Sequence, residues 1–98
     1  MKLNVHSLKF DADQKLIDYI QKKADKLDRF FDRVVDGEVI LKLNNEGVEN
    51  KTVEIKINLP KNQIFSSEKS STFEGATDKA IEGLRRQLKK YKEKMMAP

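Results

Sequence analysis

"TVEIKINL", residues 52–59, alternates without a break. Val53, Ile55, Ile57 and Leu59 fall to one side, and Thr52, Glu54, Lys56 and Asn58 to the other. A period of two is the mark of a strand with one face on a core and the other on water. After it, "PKN" at 60–62 reads as a tight hairpin turn, leading into a weaker strand over about 63–69, "QIFSSEK". The Ser-rich "SSEKSST" also permits a flexible linker, but it is short and flanked by pattern on both sides, which favours a strand followed by a helix cap. Before the central strand, "NNEGVENK" at 44–51 is a turn-rich loop. Ahead of that loop, Val39, Leu41 and Leu43 alternate with Glu38, Lys42 and Asn44 as a further strand, with Ile40 an apolar exception.

The outer segments change period. Thr77, Ala80, Ile81, Leu84, Leu88, Tyr91 and Met95 form one stripe of a helix running from about 73 to 94. Toward the N-terminus, Leu16, Ile17, Ile20, Ala24, Leu27 and Phe31 form the stripe of another helix, with Asp13 as its N-cap, an end near Arg33 and a turn at Gly37. Lys2, Leu3, Asn4, Val5 and His6 alternate as an opening strand over 2–8. The order is therefore β-α-β-β-β-α, an α+β protein. A strand-helix-strand start implies a parallel pair with a right-handed crossover, and the hairpins add antiparallel strands. Each helix has a single apolar stripe, so both belong on one face of a four-stranded mixed sheet, in a double-stranded-RNA-binding-domain-like arrangement. Val53, Ile55 and Ile57 are then expected in the core, with Thr52, Glu54 and Lys56 facing water. Ninety-eight residues make one domain, 1–98, with a flexible tail at about 95–98.

Charge is concentrated in one place. The chain carries a net +4, yet "LRRQLKKYKEK" at 84–94 alone contributes six cations against one anion, Glu93, which leaves the rest of the chain near −1. Such a local patch is the electrostatic footprint of a polyanion binder. At 100° per residue, Arg85, Lys89 and Lys92 flank one side of the second helix's stripe. Lys79, Arg86, Lys90 and Lys94 take the other flank and outer face. The like-charged pairs Arg85–Lys89 and Arg86–Lys90 cost a little helix stability, which a phosphate partner would offset. On the first helix, Lys15, Lys22, Lys26, Arg29 and Arg33 form a stripe beside Asp18, Asp25, Asp28 and Asp32. Ion-paired solvated faces explain that pattern as well as a binding surface does.

Other chemistries have little to work with. There is no cysteine and one histidine, His6, so thiolate chemistry and His/Cys metal sets are absent from the sequence. Serines 66, 67, 70 and 71 have no nucleophile-elbow context, and glycines 37, 47, 75 and 83 form no phosphate-binding loop. An enzyme, a cofactor and a metal are not expected. No stretch reaches the roughly 20 apolar residues of a spanning helix, and "MKLNVHSLKF" lacks the apolar run of a signal peptide, so a cytoplasmic protein with no membrane partner is expected. Phe10, Phe30, Phe31, Phe65 and Phe73 sit mostly at apolar-pattern positions with no aromatic pair on the polar strand face, which argues against base stacking and for recognition of folded RNA by charge and shape.

The chain also resembles the ribosome hibernation-promoting factors. "LIDYIQKKADKLDRFF" (16–31) is similar to that family's first helix, where a Lys–x–x–Lys–Leu run, here Lys23, Lys26 and Leu27, precedes an aromatic, here Phe30 and Phe31. "FEGATDKAIEGLRRQLKKYKEK" (73–94) resembles its closing helix, with Asp78 at an acidic position, and "MKLNVHS" resembles its opening strand, with Ser7 where the family often has Gly. The resemblance implies a short form without a dimerisation domain: a monomer off the ribosome. It implies a ribosome-binding domain that occupies the mRNA and tRNA channel of the small ribosomal subunit under stress or in stationary phase, inhibiting translation and protecting idle ribosomes. Lys23, Lys26, Arg86 and Lys90 match family basic positions. The expected RNA-binding set is Lys22, Lys23, Lys26, Arg29, Lys79, Arg85, Arg86, Lys89, Lys90 and Lys92. Glu74 stands where the family usually has Tyr, and Gly83 where it often has Lys; Arg85 is the expected replacement for that charge, and close packing or bending is expected at Gly83. A free-standing double-stranded RNA reader and a basic protein-interaction module are the alternatives.

Overall fold

The computed structural model describes residues 1–44 and 47–96. The elements run β1 (Lys2–Leu8), α1 (Gln14–Phe30), β2 (Asp36–Leu43), β3 (Lys51–Leu59), β4 (Asn62–Ser70) and α2 (Phe73–Met96). The four strands form one sheet in the order β1-β2-β3-β4. β1 and β2 are parallel, as the intervening helix implies, and β3 and β4 add as antiparallel hairpins. The register sets Val5 beside Val39, Val39 beside Ile55 and Ile55 beside Ser66. One face therefore gathers Val39, Leu41, Val53, Ile55, Ile57 and Ile64, all buried with Ile20 and Leu27 of α1 and Ala80, Leu84 and Leu88 of α2 in a single core. Both helices lie on that face, as the single stripes require. Each large side chain in this core contributes roughly 1.5–3 kcal/mol by leaving water.

Local chemistry fixes the element ends. The Asp13 carboxylate accepts from the Leu16 N–H at 2.8 Å and caps α1. Phe31 leaves the helix with φ −147° while its N–H still donates to the Leu27 carbonyl, so α1 stops three residues before the expected end at Arg33. The Thr72 hydroxyl accepts from the Gly75 N–H at 2.9 Å and caps α2. In the β3–β4 hairpin, Pro60 has φ fixed near −65° by its ring and Lys61 follows at φ +62°. These are the signs of a type II turn.

Several expectations are corrected. Gly37 is no turn residue. It is buried within β2, where a Cβ would meet Leu3 Cδ2 at 2.7 Å and Ile57 Cδ1 at 2.9 Å. Thr52 is buried although it lies on the open face, because its register neighbours Lys42 and Lys69 flank it with long side chains. Glu54 and Lys56 on the same face are half-buried rather than exposed, held in cross-strand pairs. Ile40 lies on the open face between His6 and Glu54, which accounts for the apolar break in β2. "SSEKSST", by contrast, is as expected: strand up to Ser70 and helix cap at Thr72. Within the expected 44–51 loop, Asn45 and Glu46 lie outside the described residues. α2 runs as far as Met96, and residues 97–98 of the expected tail lie outside the described ones. Met95, expected on the buried stripe, is exposed.

Candidate nucleic-acid interface on the helical face

The two helices run in the same sense. Tyr19 and Lys23 of α1 reach Asp78 of α2, and two to four turns on, Phe31 meets Tyr91 edge to face at 5.5 Å. Between them lies a groove. Its larger depression, about 540 Å³, is lined by Lys23, Lys26 and Arg29 from α1 and by Asp78, Glu82 and Arg85 from α2, over an apolar floor of Leu27, Phe30 and Ile81. A second depression of about 430 Å³ lies beyond Phe30, bordered by Arg29, Arg33, Lys92 and Met95. Arg85 lies over the Phe30 ring at 5.6 Å and Lys92 at 5.1 Å, both within cation–π range. The Lys92 ammonium also donates to the Phe30 carbonyl at 3.2 Å, which is favourable for a cation at a helix C-terminus. The groove carries two carboxylates at one end, Asp78 and Glu82, among Lys23, Lys26, Arg29 and Arg85, and one at the other, Asp32, among Arg29, Arg33 and Lys92.

The expected binding set divides into three. Lys23, Lys26, Arg29, Arg85 and Lys92 line the groove, and Lys89, one turn beyond Arg85, is exposed beside it. Arg86 and Lys90 lie on the opposite flank of α2, around a shallow depression shared with Ser66, Glu68, Gly83 and Gln87 on the β4 side. Lys79 is also on that side, donating to the Lys69 carbonyl at 3.1 Å. Lys22 belongs to neither group: it lies on the far side of α1 with Lys15, Asp18 and Asp25. The split of α2 into two basic flanks follows the helical geometry read from the sequence.

Gly83 is explained by packing. A Cβ there would sit 2.8 Å from the Ser66 hydroxyl, so the glycine lets α2 lie close on β4. Gly83 faces β4 and Arg85 faces α1, so Arg85, expected to stand in for a cation at 83, lies on the other flank of α2. Arg86 and Lys90 are the cations beside Gly83 on its own side. Gln87 completes this contact. Its amide donates to the Phe65 carbonyl at 2.6 Å and accepts from the Phe65 N–H at 3.3 Å, satisfying the outer edge of β4.

The Tyr19 hydroxyl donates to Asp78 at 2.7 Å. That bond, helped by partial burial, pushes the phenol up to about 12. Lys23 lies 3.7 Å from the same carboxylate, so Asp78 ties the two helices together at its end of the groove. At the other end of α1's outer face, the Met1 amine is paired with Asp28 and with Asp25. The bond to Asp28 raises the amine above its usual range. These pairings occupy part of the acidic stripe of α1. Sequence reading missed the Tyr19–Asp78 and Gln87–Phe65 contacts, which join residues 59 and 22 positions apart. Of the phenylalanines read as mostly at apolar-pattern positions, Phe30 is half-buried against the core and Phe65 is exposed on the open sheet face.

The opposite face of the sheet is close to balanced. Lys2, Lys42, Lys56 and Lys69 share it with Asp36, Glu38 and Glu54, and Lys42–Glu54, Lys56–Glu38 and the Gln63–Asn58–Asp36 chain pair them across strands. Among the described residues no cluster of three or more His, Cys, Asp or Glu is arranged to hold a metal, and no helix is long and apolar enough to cross a membrane.

The sequence and the backbone fold have counterparts in known proteins. The chain is 29% identical over 97 residues to a ribosome hibernation promoting factor of Pseudomonas putida, spanning 99% of this chain and 92% of that protein. It is 35% identical over 83 residues to a ribosome hibernation promotion factor of Deinococcus radiodurans, covering 81% of this chain but only 42% of the longer relative. Its backbone superposes on the crystal structure of the Thermus thermophilus Protein Y N-terminal domain with a TM-score of 0.82 at 25% identity, covering 93% of this chain and 99% of that one. Residues 3–96 match the family described as Sigma 54 modulation protein / S30EA ribosomal protein, so the chain belongs to that family, the family of the ribosome hibernation promoting factors.

Proposed function

We propose that the protein binds the small ribosomal subunit through its helical face, in the channel used by mRNA and tRNA, and holds idle ribosomes silent under stress or in stationary phase in the cytoplasm. The observation that carries this reading is the asymmetry of the molecule: cations gather along both flanks of α2 and the facing side of α1, while the open sheet face is charge-balanced. Phosphate contacts supply most of the affinity in such a complex and position the protein. The groove set of Lys23, Lys26, Arg29, Arg85, Lys89 and Lys92 and the β4-side pair Arg86 and Lys90 are the residues assigned to rRNA. Lys22 and Lys79 are peripheral, the first by its side of α1 and the second by its bond to Lys69. The names of the Pseudomonas and Deinococcus relatives support the ribosome as the partner. The action is occlusion without a cofactor or a chemical step, by a chain that is monomeric off the ribosome. The test is sedimentation of stationary-phase lysate through a sucrose gradient, with the purified protein added to in vitro translation. Comigration with small subunits, and inhibition stoichiometric with ribosomes and relieved by mRNA or initiator tRNA, is the expected result. Absence from every ribosomal fraction, or inhibition at strongly substoichiometric protein, refutes it.

A further inference from the structure

Phosphate binding alone does not account for the groove. A phosphate needs cations, and the exposed flanks of α2 already supply them. The larger depression adds an apolar floor that a phosphate would not use: Leu27, Ile81 and the half-buried ring of Phe30. Phe30 packs against the core but is only half-buried. It ends α1 and stands between the two depressions, with Arg85 bordering one and Lys92 the other. Arg85 is exposed and only loosely placed over the ring, its guanidinium carbon 5.6 Å from the ring centre. An aromatic face, an adjustable guanidinium plane and surrounding cations are the parts that hold an unstacked base together with its phosphate.

We propose that this depression seats one unpaired nucleobase of RNA, with its face on the Phe30 ring, its edge against Leu27 and Ile81, and its phosphates on Arg29 and Arg85. The inference rests on the reading of the helical face as an RNA surface and specifies what that face selects. Lys23 is already paired with Asp78 and Arg86 with Glu82, whereas Arg29, Arg33 and Lys92 outnumber Asp32 at the other end, so the strand's phosphates lie toward Arg29 and Lys92. A continuous duplex keeps its bases stacked inside and cannot fill the site. Loops, bulges and single strands can.

The probe is a single-stranded mixed-sequence RNA hexanucleotide, compared with the duplex it forms with its complement, in NMR titrations of the full chain. Ring-current shifts of the Phe30 ring and the Ile81 methyl groups with the single strand and not with the duplex are expected, and Phe30→Leu, which keeps an apolar side chain of similar size, should weaken single-strand binding at least fivefold. Equal shifts with both RNAs, no shift at Phe30, or unchanged affinity in Phe30→Leu overturns the proposal. Should Phe30→Leu fail to fold, the wild-type shifts decide alone. Comigration with small subunits without base-dependent shifts leaves the ribosomal reading standing and removes this one. Base-dependent shifts in a protein absent from ribosomal fractions do the reverse.

Discussion

Single side chains tie the groove to the fold. Asp78 serves two partners at once, Tyr19 and Lys23. Because the Tyr19 phenol is pushed up from 10.0 to about 12, the stability contributed by its bond to Asp78 is fully present below pH 10 and is lost as pH rises toward 12. Asp78→Ala removes the hydrogen-bond acceptor chiefly responsible and should return the Tyr19 ionisation toward 10.0, a shift that ¹³C NMR titration of the tyrosine rings reads directly. Gly37 is the other decisive residue. An added methyl would press on Leu3, Ile57 and the Lys56 carbonyl at 3.2 Å or less, so Gly37→Ala should destabilise the protein by about 1–3 kcal/mol through overpacking, measured by urea denaturation. The sequence marks Gly37 only as a turn former. The tight β1–β2–β3 contact that requires a glycine is a tertiary fact, which no local pattern encodes.

At the level of elements, legibility follows the source of the signal. β3 declares itself because it is central, with a core face and a polar face that alternate over its whole length. Asp13 is readable as a cap because capping is local. The end of α1 is less so: Arg33 continues the charge pattern, but Phe31 turns its backbone out to reach the core and stops the helix. The open face misled for a similar reason, since cross-strand pairs partly bury Glu54 and Lys56 and enclose Thr52. The contact between α2 and β4 was visible only as an odd glycine. There, Gln87 holds both backbone groups of Phe65. Gln87→Leu should cost about 0.5–1.5 kcal/mol per lost bond. Amide exchange at Phe65 should accelerate, while exchange at Val53 and Ile55 stays slow. Unchanged protection at Phe65 would show that the edge is held by something else.

Over the whole molecule, the proposed function rests on how charge is distributed between two faces. The concentration of cations in 84–94 is legible in the sequence, and helical geometry divides it correctly into two flanks. The partner across the groove is not legible, because it takes the parallel packing of α1 on α2 to bring Lys23, Lys26 and Arg29 alongside Arg85 and Lys92. If about six cations meet phosphates, affinity for small subunits should fall with salt at a log–log slope of about −4 to −5, at roughly 0.7–0.9 per contact. A slope near −1 would mean that charge is incidental to binding.

The central claim is that position on the helical face, and not net charge, sets ribosome binding. It is tested most directly by measuring the affinity of small ribosomal subunits for two double variants of identical charge change. Arg29→Glu with Arg85→Glu reverses the groove and should nearly abolish binding while leaving the fold intact, since both side chains are exposed and off the apolar stripes. Lys51→Glu with Lys61→Glu reverses two cations of the β3 strand and its hairpin turn, away from the groove, and should bind within a few-fold of wild type. Equal loss in both variants, or no loss in the first, would contradict the account.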